Sequence, residues 1–195
     1  MAKQHFKNQK SGFIFQPVLI FLVFSVFMTI GCNIDGSDSA SDETKPSLIS
    51  EADYEKYYEP FPNTLPSIDD ASGPVADMQK ALAAYELKNY EEADKIFKEL
   101  PLTGVNQFYH ALTALELGNN DYAVQRLKGV ANNPKNPFQI PAKWYLGLIS
   151  AKDGDLENAR KMMQDVSKTG KYADLQKNAT EILGILAKQG PIDTN

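Results

Sequence analysis

Beyond residue 75, apolar side chains recur every three to four positions, the period of a helix with one buried face. Three stretches align without gaps: residues 78–93 (MQKALAAYELKNYEEA), 108–123 (FYHALTALELGNNDYA) and 144–159 (WYLGLISAKDGDLENA). Each opens on a large apolar residue (Met78, Phe108, Trp144), with a small one three later (Ala81, Ala111, Gly147) and leucine next (Leu82, Leu112, Leu148). Those positions share one face of a helix, so each stretch predicts one. Asn89, Asn119 and Asp155 then break the stripe, and side chains of these types cap helix N-termini. Asn89-Tyr90-Glu91-Glu92 reads as a capping box. Second stripes follow: Tyr90, Ala93, Phe97 and Leu100; Ala123, Leu127 and Val130; Leu156, Ala159, Met163 and Val166. Small residues on both helices let their backbones approach to about 8–10 Å, so the expectation is three antiparallel helix pairs. Residues 171–188 predict one more helix, with Tyr172, Leu175, Ala179, Ile182 and Leu183 on one stripe and Gly190-Pro191 at its end. Its polar back suits the open end of a stacked array.

Other patterns precede residue 75. Tyr54, Tyr57, Tyr58 and Phe61 fall within eight residues, and Pro60, Pro62 and Pro66 forbid a continuous helix beyond Glu59. A short helix over residues 51–58 followed by extended chain is expected. These rings either cap the exposed face of the first helix pair or act as a ligand docked in a groove. Residues 33–50 (NIDGSDSASDETKPSLIS) are rich in Ser and acid without an aromatic, and read as a flexible spacer. Residues 13–30 are apolar at 14 of 18 positions and uncharged, behind Lys3, Lys7 and Lys10. That order describes a secretory signal. Pro17 leaves thirteen uninterrupted residues, about 20 Å of helix against a hydrocarbon core of about 30 Å. A retained membrane helix is the alternative.

Charge and chemistry narrow the class. Past residue 31 the chain holds 17 basic and 25 acidic residues, with Arg126 and Arg160 the only arginines, which disfavours nucleic acid. The single cysteine, Cys32, excludes an intrachain disulfide and a multi-cysteine metal site. His110 is the body's one histidine, its equivalents in the alignment are Lys80 and Leu146, and its expected role is structural. No HExxH, GxSxG, phosphate loop or GxGxxG occurs. No catalysis, cofactor, metal or small-molecule substrate is expected.

The aligned stretches resemble the tetratricopeptide repeat (TPR). Its pair of small residues twelve apart is matched by Ala81/Ala93, Ala111/Ala123 and Gly147/Ala159, and its glycine by Gly118 and Gly154, while Lys88 departs. Phe97 and Leu127 match the large residue four after the alanine, and Met163 fits less well. Alanine-to-alanine spacing is 30 and then 36, around the family's repeat of about 34. The resemblance covers residues 75–167 and implies an all-α fold, a short right-handed α-solenoid of about three TPR-like helix pairs plus a C-terminal capping helix. It further implies a concave groove for a peptide or helix of a partner protein, with Met78, Tyr85, Phe108, Leu112, Leu115, Trp144, Leu148 and Lys152 as partner-binding candidates. Thr29-Ile30-Gly31-Cys32 resembles a bacterial lipobox, which implies lipidation of Cys32, although Thr29 stands where leucine is usual. Residues 57–63 (YYEPFPN) resemble a segment preceding the arrays of membrane-tethered bacterial TPR proteins.

The expected organisation is residues 1–31 signal peptide or membrane anchor, 32–50 linker, 51–74 aromatic and proline-rich cap, 75–189 helical domain and 190–195 tail. The expected function is a membrane-tethered interaction adaptor or scaffold in the bacterial cell envelope, facing the periplasm. The lipobox resemblance implies a weak preference for the outer membrane, because Asn33 stands where an aspartate often retains lipoproteins in the inner one. The alternatives are a permanent structural subunit of an envelope assembly and, for location, a single-pass membrane protein.

Overall fold

The computed structural model describes residues 45–189. The apolar run 13–30, Cys32, linker residues 32–44 and the tail 190–195 lie outside the described residues. Among the described residues there are eight helices and no strand: α1 (Glu51–Tyr57), α2 (Pro74–Glu86), α3 (Tyr90–Glu99), α4 (Gly104–Glu116), α5 (Asn120–Ala131), α6 (Gln139–Lys152), α7 (Leu156–Ser167) and α8 (Ala173–Leu186). From α2 to α8, helices adjacent in sequence pack against one another in order. In addition α2 touches α4, and α6 touches both α1 and α8. The arrangement is all-helical and compatible with an α-solenoid. No described helix is long and apolar enough to cross a membrane.

The stripes explain the packing. Ala81, Ala93, Ala111, Ala123 and Ala159 are fully buried, as small residues shared by the facing stripes should be. At Gly147 an added Cβ would stand 2.8 Å from the Met163 Cε, so a methyl there requires the Met163 side chain to shift. The larger members of the second stripes, Phe97, Leu127, Val130, Met163 and Val166, are buried as well.

The three helix pairs turn in the same way. Lys88, Gly118 and Gly154 all lie in the left-handed region, with φ of 58°, 76° and 75°. The next amide then reaches back five residues, Asn89 N to Ala84 O, Asn119 N to Ala114 O and Asp155 N to Ser150 O, closing the helix end. Lys88 therefore departs from glycine in side chain and not in backbone, at a cost of about 1 kcal/mol.

The caps differ from expectation. Asp155 accepts the amide of Asn158 at 3.1 Å, but Asn89 and Asn119 make no side-chain cap bond, and no capping box forms at Asn89. Backbone angles at the three sites are similar, so the difference lies in the acceptor. An ionised carboxylate offers two strong oxygens and an amide one neutral oxygen. The short joint after α3 is held from within, where the buried Asn106 amide donates to the carbonyls of Phe97, Leu100 and Pro101.

Candidate interaction site

Residues 45–66 precede the helix pairs in sequence yet lie across all of them. The segment, termed the arm, starts beside the last pair. There Leu48 N donates to Ala151 O at 2.8 Å, Gln189 Nε2 donates to Leu48 O at 3.1 Å, and Leu48 and Ile49 are buried. Ser50 caps α1, whose Tyr57 hydroxyl donates to Glu181 on α8 at 2.9 Å. Prolines then keep the chain extended, as expected from Pro60 and Pro62, and it runs back toward α2 against the order of the pairs.

Each first helix contributes one tyrosine to hold this extended stretch. Tyr145 on α6 donates its hydroxyl to Glu59 O, Tyr85 on α2 to Phe61 O at 3.0 Å, and Tyr109 on α4 to Pro62 O at 3.0 Å. Tyr109 also accepts the Thr64 amide at 3.2 Å. A chain without regular structure has no internal partners for its carbonyls, and these hydroxyls supply them. Between the tyrosines sits Phe61, edge-on to Phe108, Phe138 and Tyr172 at centroid distances of 5.5, 6.2 and 6.1 Å. Phe108 stacks on Phe138 at 4.6 Å beneath it. Each such ring pair contributes about 0.5–1.5 kcal/mol beyond its burial. Burial pushes the hydroxyl pKa values of Tyr85, Tyr109 and Tyr145 upward, so all three stay protonated donors.

This arrangement changes the status of the partner-binding candidates. Tyr85, Phe108, Leu112, Trp144 and Leu148 are buried, none more than 4% exposed, so they form interior and not an open groove. The reason is that the arm and the neighbouring helices cover them. The arm also reaches all three pairs and is not confined to capping the first. Met78 is half-buried beside a 350 Å³ cavity where the arm meets α2. Leu115 and Lys152 remain on an open cleft.

That cleft, about 770 Å³, lies between α1, the ends of α4 and α6, and the start of α5. Tyr54, Tyr58, Val124 and Ile149 line it together with Leu115, and its charges are Glu116, Asp121, Asp153, Lys128 and Lys152. Tyr54 and Tyr58 stack at 5.3 Å, and the Tyr58 hydroxyl donates to Glu116. Lys152 Nζ lies 4.3 Å from the centre of the Tyr54 ring and 3.0 Å from Glu51. It thereby fastens α1 to α6. Burial, followed by the Glu51 charge, pushes the Tyr54 hydroxyl up to about 12, and burial likewise raises Asp153.

No family model, curated protein or solved structure matches this chain. Among the described residues no group of three or more His, Cys, Asp or Glu could hold a metal ion. His110 is engaged within the helices. Its Nε2 donates to Asp94 at 2.9 Å, its Nδ1 accepts the Tyr122 hydroxyl at 2.9 Å, and its ring stacks on Phe97. Burial lowers its pKa, and the pull of Asp94 in the opposite direction does not offset this.

Two features of the site were missed at the level of sequence. Tyr109 and Tyr145 are equivalent in the alignment, a signal that pointed to a shared role without saying what they bind. Phe138, in the long connection before α6, carried no periodic signal.

Proposed function

We propose that this chain is an envelope-tethered, TPR-type adaptor that binds a peptide or helix of a partner protein and catalyses no reaction. The observation that supports it is the arm itself. One tyrosine from each of α2, α4 and α6 holds a carbonyl of an extended stretch, so the first helices form a surface built to grip a chain. With the centre of that surface occupied, the partner docks in the adjoining cleft between Tyr54, Leu115, Val124 and Ile149. The cleft combines an apolar floor with charges of both signs, which suits a segment of folded protein rather than a small apolar ligand. Lipidated Cys32 tethers the body, and tethering raises the effective concentration of partner and adaptor at the membrane.

The test is an in-cell crosslinking pull-down of the full chain compared with the variant Asp121→Lys, Lys128→Glu, which reverses exposed charges on the cleft wall. Loss of one partner from a variant with an unchanged circular dichroism spectrum supports the cleft. Retention of every partner refutes it. Lipid labelling of Cys32→Ala tests the tether, and label surviving that substitution refutes lipidation there.

A second reading, a permanently assembled structural subunit, draws support from Leu87 and Leu102, which are 81% and 60% exposed. Residues 42–195 expressed alone separate the two. An adaptor domain stays soluble and monodisperse, whereas a subunit cut from its assembly aggregates.

A further inference from the structure

The arm has one covalent link to the array, residues 67–73, and that link has the properties of a hinge. Six of its seven residues are exposed, and one side-chain bond ties it to the body, Gln79 Nε2 to Ile68 O at 3.3 Å. Its turn places Asp70 at φ 58° and Gly73 at φ 57°, both left-handed. Asp70 is a non-glycine residue there, so straightening the hinge relieves backbone strain. Fully extended, the seven residues reach about 23–25 Å. Ile68 in the hinge and Val75 in the first turn of α2 are 52% and 47% exposed, beside the 350 Å³ cavity that Leu65, Met78 and Leu82 also line.

We propose that the arm exchanges between two copies of this chain, each arm lying across the helix pairs of the other. Every contact of the arm is to a surface that a second copy also carries. The exchanged pair therefore keeps the three tyrosine bonds and the Phe61 site, loses the strained turn, and gains cover for Ile68 and Val75. Its only new requirement is the meeting of two chains.

The test uses the full-length chain, produced in one cell in two epitope-tagged forms, with the photo-crosslinking residue p-benzoylphenylalanine replacing Pro62. Pro62 is exposed and its carbonyl is held by Tyr109, so the crosslink reports whose helices the arm lies on. Exchange gives a product of twice the chain's mass bearing both tags. Asp70→Pro forbids the left-handed turn and raises that product about threefold, while Asp70→Gly relieves the strain in place and lowers it about threefold. Three results overturn the proposal: crosslinks confined to single chains in all variants, a double-tagged product insensitive to both Asp70 substitutions, or adducts with a different protein in place of a second copy.

Discussion

Two parts of one surface behave differently. Its centre, where Phe61 meets Phe108 and Phe138, is filled and its backbone groups are matched by tyrosine hydroxyls. The cleft beside it has the same aromatic beginnings in Tyr54 and Tyr58, but charges line the rest and it stays open. Apolar rings lose little when another ring covers them, whereas Asp121, Asp153 and Lys128 keep their hydration only if nothing of this chain covers them. A helical array thus makes core and binding surface from one row of helices, and the residue types decide which is which.

The contrast can be broken from either side. The largest effect is expected at the centre, where Phe108→Ala removes a fully buried ring contacted by both the arm and Phe138. It should lower the unfolding free energy by about 3–5 kcal/mol in urea titration. For the same reason Phe108→Ala with Trp144→Ala is a folding lesion and not a probe of partner binding. Tyr109→Phe is smaller, since it deletes one hydroxyl that both donates to Pro62 and accepts from Thr64. A loss of about 1–3 kcal/mol is expected, with faster amide exchange at Thr64.

The His110 cluster should give a pH dependence. The folded-state pKa of His110 lies below its ordinary 6.5. The unfolded chain therefore binds the proton first, and stability present above about pH 6.5 is lost as pH falls toward the lowered value. The groups facing His110, namely Asp94, Tyr122, Arg126 and Lys98, leave burial as the dominant influence. Urea midpoints between about pH 7.5 and pH 5 should fall, and His110→Gln should flatten that slope. The smallest effect on stability belongs to the cleft, where Asp121→Lys with Lys128→Glu reverses charges in the first and last turns of α5 that favour its dipole. It should lower stability by about 1 kcal/mol while abolishing capture of the partner.

Much of the helical layout was legible because it repeats. The stripes at Met78, Phe108 and Trp144 and their breaks at Asn89, Asn119 and Asp155 coincide with α2 to α7 and with the residues that precede α3, α5 and α7. The last helix was expected over residues 171–188 and spans Ala173–Leu186. The arm was legible only in its local behaviour, a short helix and then proline-enforced extension. Its placement depends on contacts such as Tyr145 with Glu59, 86 residues apart. Periodicity reports which face of a helix is apolar and not what covers it. Phe108 and Leu115 share an apolar face pattern, and one is interior while the other lines an opening. Only the path of residues 45–66 separates them.

Gln189 grips the Leu48 carbonyl, so the first and last described stretches of the chain are neighbours. The helix pairs alone are a local design in which each element can fold on its predecessor as synthesis proceeds. The arm adds a long-range closure, because its docking place beside Ala151 and Glu181 does not exist until α6 to α8 have been made. Folding should finish in a slow final step that waits on the C-terminal helix. A circular permutant that joins the two neighbouring stretches and opens the loop at 132–137 would turn that long-range closure into a local one, and should fold faster to the same structure.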